Sequence, residues 1–161
     1  MSLEQNHSFL NRIGVAVRLA AKELYRLKLK RIDLPKADLR LGEKAYATGT
    51  ANGQTELVSK LDELTQRVTQ LRQQGVEPAT TFGEKVKVFA SKIAQAVQVG
   101  ALQVKRRRIL GQLGANLQNE ANSSLAEETQ VARGVADRLN SIEAEIAQFR
   151  RQTYAWARRP S

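Results

Sequence analysis

The chain has 161 residues, one histidine, no cysteine and a formal net charge of +10 at pH 7. Its length and its balance of 42% apolar and 26% charged residues predict one folded domain, residues 1–161, rather than a disordered chain. The composition excludes disulfides and thiolate metal sites, and no run of eighteen apolar residues is present to span a bilayer. Because the N-terminus lacks a secretory signal pattern, the expected localisation is cytoplasmic by default.

The first predicted helix runs from Ser8, a candidate N-cap, to about Arg31. Its apolar residues recur at steps of four and three, which places them on one side of an α-helix. They are Phe9, Ile13, Val17, Ala20, Leu24 and Leu27. We expect this side to face the core.

Asp33-Leu34-Pro35 predicts a break after the first helix. Proline lacks the N–H that a continuing helix needs, and it disfavours the α region at the residue before it. The same residues suit the start of a short second helix, with Asp33 as its cap and Pro35 in its first turn. This helix is predicted to end near Thr48, with Gly49 as a left-handed cap.

A third helix is predicted to begin at Thr55, its expected cap, after a small polar loop. Its stripe keeps the same spacing and consists of Leu57, Leu61, Leu64, Val68 and Leu71. Gly75 and Pro78 are predicted to end it.

A fourth helix is predicted to open with a capping box formed by Thr81 and Glu84. Its expected stripe consists of Val86, Phe89 with Ala90, Ile93, Val97, Gly100 and Val104. Gly111 and Gly114 either kink or end this helix, and the sequence leaves that choice open.

The last helix is predicted from Ser124 to Trp156, with Ser124 and Glu127 at capping-box spacing. At 1.5 Å per residue it would be about 50 Å long, whereas the third helix spans about 30 Å. Its stripe consists of Val131, Val135, Leu139, Ile142, Ile146 and Phe149. The spacing suits pairing within the chain and a dimer seam equally well. Since the third helix is too short to cover this stripe, we favour self-association as a homodimer.

Together these patterns predict an all-α fold, an elongated antiparallel helical bundle with coiled-coil-like packing, four long helices and one or two short ones. Three segments also recur in order at separations of 75, 72 and 78 residues. They pair Leu27–Arg31 with Leu102–Arg106, Leu41-Gly42 with Leu113-Gly114, and Leu61–Arg72 with Leu139–Arg150. Either an internal duplication into halves 8–75 and 81–157 or chance similarity between heptad-patterned helices explains the recurrence.

One motif in the first half resembles a known pattern. Lys30-x-Ile32-Asp33-Leu34-Pro35-Lys36-Ala37, followed by Leu41-Gly42 and Tyr46, is similar to a motif of uncharacterised bacterial helical proteins. The resemblance covers residues 26–72, and the second half lacks the proline and the tyrosine. It implies an α-helical repeat but neither an activity nor a site residue.

The sequence offers little for catalysis, and we predict that the chain is not an enzyme. The single histidine, His7, lies close to the N-terminus, which argues against a His-based acid–base pair or triad. Metal sites of helical bundles use Glu-x-x-His motifs on facing helices, which one histidine cannot supply. No Gly-rich phosphate loop is present in the sequence, and no cofactor is expected.

Two clusters of basic residues are the most informative feature. They are Lys28, Lys30 and Arg31 in the first helix and Lys105, Arg106, Arg107 and Arg108 in the fourth. Arg31 and Arg107 continue the apolar stripes, which predicts that both helices leave the core there. The clusters are candidate contacts for nucleic-acid phosphates or for an acidic protein, and solvated helix ends are the more ordinary interpretation.

We therefore expect a non-enzymatic helical interaction or scaffold protein of unknown pathway, whose partner is a protein or a second copy of itself. A sequence-independent nucleic-acid binder that uses the two basic clusters is the alternative. Peripheral membrane contact through Tyr154 and Trp156, followed by Arg158 and Arg159, is less favoured because Trp156 also continues the stripe of the last helix.

Overall fold

The structure is a computed structural model that describes residues 3–51, 53–74, 81–120 and 123–157, with the side chains of those between 13 and 151. The described chain is all-α, which confirms the predicted fold class. Its helices are α1 (Leu3–Lys28), α2 (Leu34–Thr48), α3 (Thr55–Gln73), α4 (Phe82–Leu117) and α5 (Ala126–Ala157). A π-helical turn, Leu29–Asp33, joins α1 to α2, and a 3-10 turn, Ser123–Leu125, precedes α5.

The helices form two compact units. Unit 1 comprises Met1–Ala37 and Gln130–Ser161, and unit 2 comprises Asp38–Thr129. Each unit therefore draws on both of the predicted halves, and the duplication itself stays a prediction.

In unit 1, α1 and the π turn pack against α5 through a small apolar core, to which α1 contributes the half-buried Leu19. This core consists of Leu29, Leu139, Ile142 and Ile146. Ion pairs surround it: Lys22 contacts Glu145, and Arg150 Nη2 lies 2.6 Å from Glu23 Oε1. Because these ion pairs are partly exposed, each contributes about 1 kcal/mol or less, and apolar burial dominates the contact.

In unit 2, α2 crosses the C-terminal part of α4 at two glycines. A methyl group at Gly42 would overlap the carbonyl group of Leu110, and one at Gly114 would overlap the carbonyl group of Asp38. Each overlapped residue lies four positions before the opposite glycine, so the contact is reciprocal. The fully buried side chains that the two helices contribute to unit 2 include Leu41, Leu110, Leu113 and Leu117.

The stripes predicted for α3 and α5 are largely confirmed as packed sides. In α3, Leu61 is fully buried, and the other four stripe residues, including Leu64, are half-buried. This helix packs against α4. In α5, the stripe is buried or half-buried from Val135 to Phe149, but Val131 is 52% exposed.

Two helix ends are as predicted. Thr81 and Glu84 form the capping box, in which Glu84 N donates to Thr81 Oγ1 at 3.3 Å and Thr81 N to Glu84 Oε2 at 2.9 Å. Gly49 has a φ of +66°, and Thr50 N donates to the carbonyl of Ala45 at 3.0 Å. The predicted end of α3 at residues 75–78 lies outside the described residues.

Other helix ends differ from the prediction. Pro35 does not separate α1 from α2, because the π turn continues the helix and the N–H of Leu34 donates to the carbonyl of Leu29, five residues back. The change from π to α geometry thus falls next to Pro35, which has no backbone N–H to donate. Asp33 lies 3.9 Å from Lys28 Nζ inside this turn rather than at a cap.

The observed starts of α3 and α5 and the end of α4 also differ from the predicted cap positions. Thr55 is the first residue of α3, and Gln54 is its cap. Helix α5 begins at Ala126, after the 3-10 turn that contains Ser124, and the capping box of Ser124 and Glu127 stays a prediction. Gly111 and Gly114 do not end α4, which continues to Leu117.

Candidate functional site

The apolar stripe predicted for α4 is exposed, so the expectation that it faces the core is wrong. We call this surface the α4 face. It consists of Phe82, Val86, Phe89, Ile93, Val97 and Val104, whose exposed fractions range from 50% to 83%. The helix has a second apolar side, on which Val88, Val99 and Leu102 are half-buried. That second side is the one that packs.

The same reversal occurs on α1. Its predicted stripe is exposed at Ile13, Val17, Leu24 and Leu27, which we call the α1 face. The half-buried side of α1 comprises Val15, Leu19, Lys22, Glu23 and Arg26, and it continues into the buried Leu29 of the π turn. The side chain of Phe9 lies outside the described residues.

The α4 face is bordered by positive charge alone. Helix α4 has one carboxylate, Glu84, which forms the capping box with Thr81, and residues 85–117 contain seven Lys or Arg residues and no Asp or Glu. At 100° per residue, Lys85 and Lys92 lie on one side of the stripe, and Lys87 and Lys105 lie on the other. All four side chains are exposed. This absence of acidic residues around an apolar row was the sequence signal for a surface, and the prediction of a buried stripe overlooked it.

The predicted basic clusters are largely exposed. In unit 1, Lys30 and Arg31 are exposed, as is Lys28, whose ammonium group faces Asp33. In unit 2, Lys105, Arg107 and Arg108 are exposed. Arg31 and Arg107 do not mark points where the helices leave the core, because the stripes that they continue are exposed at every described position except the half-buried Gly100.

Arg106 differs from the other members of its cluster. Its guanidinium carbon lies 5.8 Å from the centre of the Tyr46 ring, and its Nε is buried without a hydrogen-bond partner among the described residues. Tyr46 in turn donates from its hydroxyl to Asp62 Oδ1 at 2.6 Å. Burial, followed by this bond to Asp62, raises the pKa of Tyr46 above its ordinary value. Arg106 therefore contributes to packing within unit 2 rather than presenting its whole charge to a partner.

An open groove of about 610 Å³ lies beside Tyr46 and Asp62. Its lining also includes Gly49, Thr55 and Val58, and it offers neither histidine nor cysteine. Within the described ranges, no group of three or more His, Cys, Asp or Glu side chains could hold a metal ion. The titratable groups that line the groove are Tyr46 and Asp62, which are hydrogen-bonded to each other.

None of the helices in the described residues is long and apolar enough to cross a membrane. Comparisons with protein-family models, with curated proteins and with solved structures found no match. The resemblance of residues 26–72 to bacterial helical proteins therefore stays a prediction.

Proposed function

We propose that this chain is a non-enzymatic helical interaction protein that docks other molecules on its exposed apolar helix faces. The α4 face is the observation that carries this proposal. It extends from Phe82 to Val104, which is about 33 Å along a helix. Isolated exposed apolar side chains are ordinary on protein surfaces, whereas a continuous row of them is typical of an interaction site.

The α1 face supports the same proposal independently, because it is a second exposed row at helical spacing in the other unit. Leu24 is 68% exposed, and Val17 is 61% exposed. Among protein partners, we consider a different protein and a second copy of the chain. Light scattering at several concentrations distinguishes a homodimer from a monomer.

Site-specific photo-crosslinking in cells tests the proposal directly. Phe89 and Gln98 are nine residues apart on α4, which places them about 180° apart around the helix. Both side chains are exposed. A photoreactive phenylalanine at position 89 should give crosslinked products, and the same group at position 98 should give few. Equal yields from the two positions, or none from either, would contradict docking on the α4 face.

Nucleic-acid binding is the second candidate, and it is supported by the exposed side chains of Lys105, Arg107 and Arg108. Changing these three residues to Gln should make the slope of log affinity against log salt shallower by about 0.9 for each phosphate that the protein no longer neutralises. Changing Lys85 and Lys92 to Gln, on the same helix, is the control and should leave the slope nearly unchanged. Absence of duplex binding by the wild type at low salt would remove this candidate.

A further inference from the structure

We infer that the α4 face docks on an anionic lipid surface, with α4 lying in the plane of the membrane interface. This inference rests on the proposed function, because it names the partner of the same face. It requires three properties of the helix: an exposed apolar row, cationic borders on both sides of that row, and a protein core on the opposite side. The structure shows all three.

The first property is the exposure of large apolar side chains. Phe82 is 83% exposed, and Phe89 is 67% exposed. Rings at these positions can enter the boundary between headgroups and acyl chains, which is how interfacial amphipathic helices gain affinity. Phosphate recognition on nucleic acid does not use such a row, which favours lipid over nucleic acid for this face.

The second property is the sign of the charge. Lys85 and Lys92 on one border and Lys87 and Lys105 on the other can extend their ammonium groups towards lipid phosphates while their stems cover the apolar row. Pairing of two α4 faces in a homodimer would instead bring these lysines together, and residues 85–117 hold no carboxylate to neutralise them. The charge therefore favours an anionic surface over a second copy.

The third property is the position of the protein core. Gln95 donates from its side-chain amide to the carbonyl of Leu71, so this residue faces α3. Val86 lies nine residues before Gln95, which places it on the opposite side of α4. Helix α3 therefore lies on the side of α4 that is opposite to the α4 face.

Vesicle flotation with the full chain tests the electrostatic part of the inference. We expect the protein to float with phosphatidylcholine vesicles that contain about 30% phosphatidylserine, and to stay behind with phosphatidylcholine alone. The triple variant Lys85→Gln, Lys87→Gln, Lys92→Gln should bind about 100-fold more weakly, at roughly fivefold for each lysine. The matched control changes three exposed cations of α3, Lys60, Arg67 and Arg72, to Gln and should lose less than about tenfold.

A fluorescent reporter tests which side of the helix meets the lipid. Trp156 is first changed to Phe, and Phe89→Trp or Gln98→Trp is then introduced as the single indole. On addition of the anionic vesicles, the emission of the indole at position 89 should shift to the blue, and that of the indole at position 98 should not. Because both sites are exposed, circular dichroism should show the same helix content and thermal midpoint in all variants.

Three results would overturn the inference. They are absence of flotation with anionic vesicles at low salt, equal weakening by the α4 and α3 triple variants, and equal blue shifts at positions 89 and 98. If one of these occurs while the photoreactive group at position 89 still crosslinks to a protein, the lipid assignment falls and the proposed function stands. If position 89 also gives no crosslink, both fall.

Discussion

Adding a methyl group at Gly114 should destabilise the protein through one contact. The new Cβ would lie 2.6 Å from the carbonyl carbon of Asp38 and 2.9 Å from the nitrogen of Gly42. Non-bonded carbon atoms rest at about 3.5–4.0 Å, so α2 and α4 would have to separate by about 1 Å. The obstacle is backbone and cannot rotate away, which places the overpacking penalty near its upper end of about 3 kcal/mol. The better helix propensity of Ala offsets about 1 kcal/mol, so we expect a net loss of about 2 kcal/mol.

Urea unfolding followed by circular dichroism measures this change, and Gly111→Ala is the matched control. Gly111 lies three residues earlier in α4, and an added Cβ there meets nothing within 4 Å. Gly111→Ala should therefore stabilise the protein by about 0.5–1 kcal/mol. Combining Gly42→Ala with Gly114→Ala should cost less than the sum, because either change already separates the helices. A Gly114→Ala midpoint that rises as the control does would refute the close crossing.

Three further predictions concern single side chains. Ile142→Ala should cost about 2–5 kcal/mol in urea unfolding because Ile142 is 8% exposed, whereas Val131→Ala should cost less than about 0.5 kcal/mol. Lys44 Nζ lies 2.7 Å from both carboxylate oxygens of Glu128 and lowers the pKa of Glu128 below its ordinary value of 4.5. Lys44→Gln should therefore lower the free energy of unfolding at pH 7, and the difference from wild type should shrink as the pH falls below 4.5 and Glu128 becomes protonated. Burial raises the pKa of Asp38 above 3.8, so its ionisation opposes folding at pH 7; thermal melts should show Asp38→Asn to be more stable than wild type at pH 7 but not at about pH 3.

The packed sides of α3 and α5 could be predicted because each helix has one apolar side. Around Leu61, for example, the neighbouring positions are Lys60 and Asp62, so the spacing of leucines leaves one choice. Helix α4 offers two apolar sides, and Val97 and Val99 are equally apolar. The location of α3 decides which of the two sides packs, and the spacing of apolar residues along α4 does not reveal that location.

Helix α1 misleads sequence reasoning for a different reason. Its packed side carries Lys22, Glu23 and Arg26, which pair with charged residues of α5 more than 100 positions away. A pattern based on apolar spacing reads such a side as solvated. The positions of the basic clusters could likewise be predicted from the sequence. The contact between Arg106 and Tyr46 could not, because it joins residues that are far apart in the chain.

The π-helical turn between α1 and α2 also affects how the packed positions of these two helices match the packed positions of α4 along the sequence. Up to the start of the turn, four packed residues correspond to packed residues of α4 that lie 73 positions later: Val15, Lys22, Arg26 and Leu29 match Val88, Gln95, Val99 and Leu102. Two others, Leu19 and Glu23, match the exposed Lys92 and Ala96. After the turn, the correspondence is 72 positions, as for Gly42 and Gly114, whereas the predicted separation of 75 would match Leu29 with the exposed Val104. Helix α4 passes through the equivalent region without such a turn. A π turn accommodates an additional residue without breaking the helix, and under the predicted duplication it would be the trace of a one-residue insertion that left the packed side of the helix unchanged.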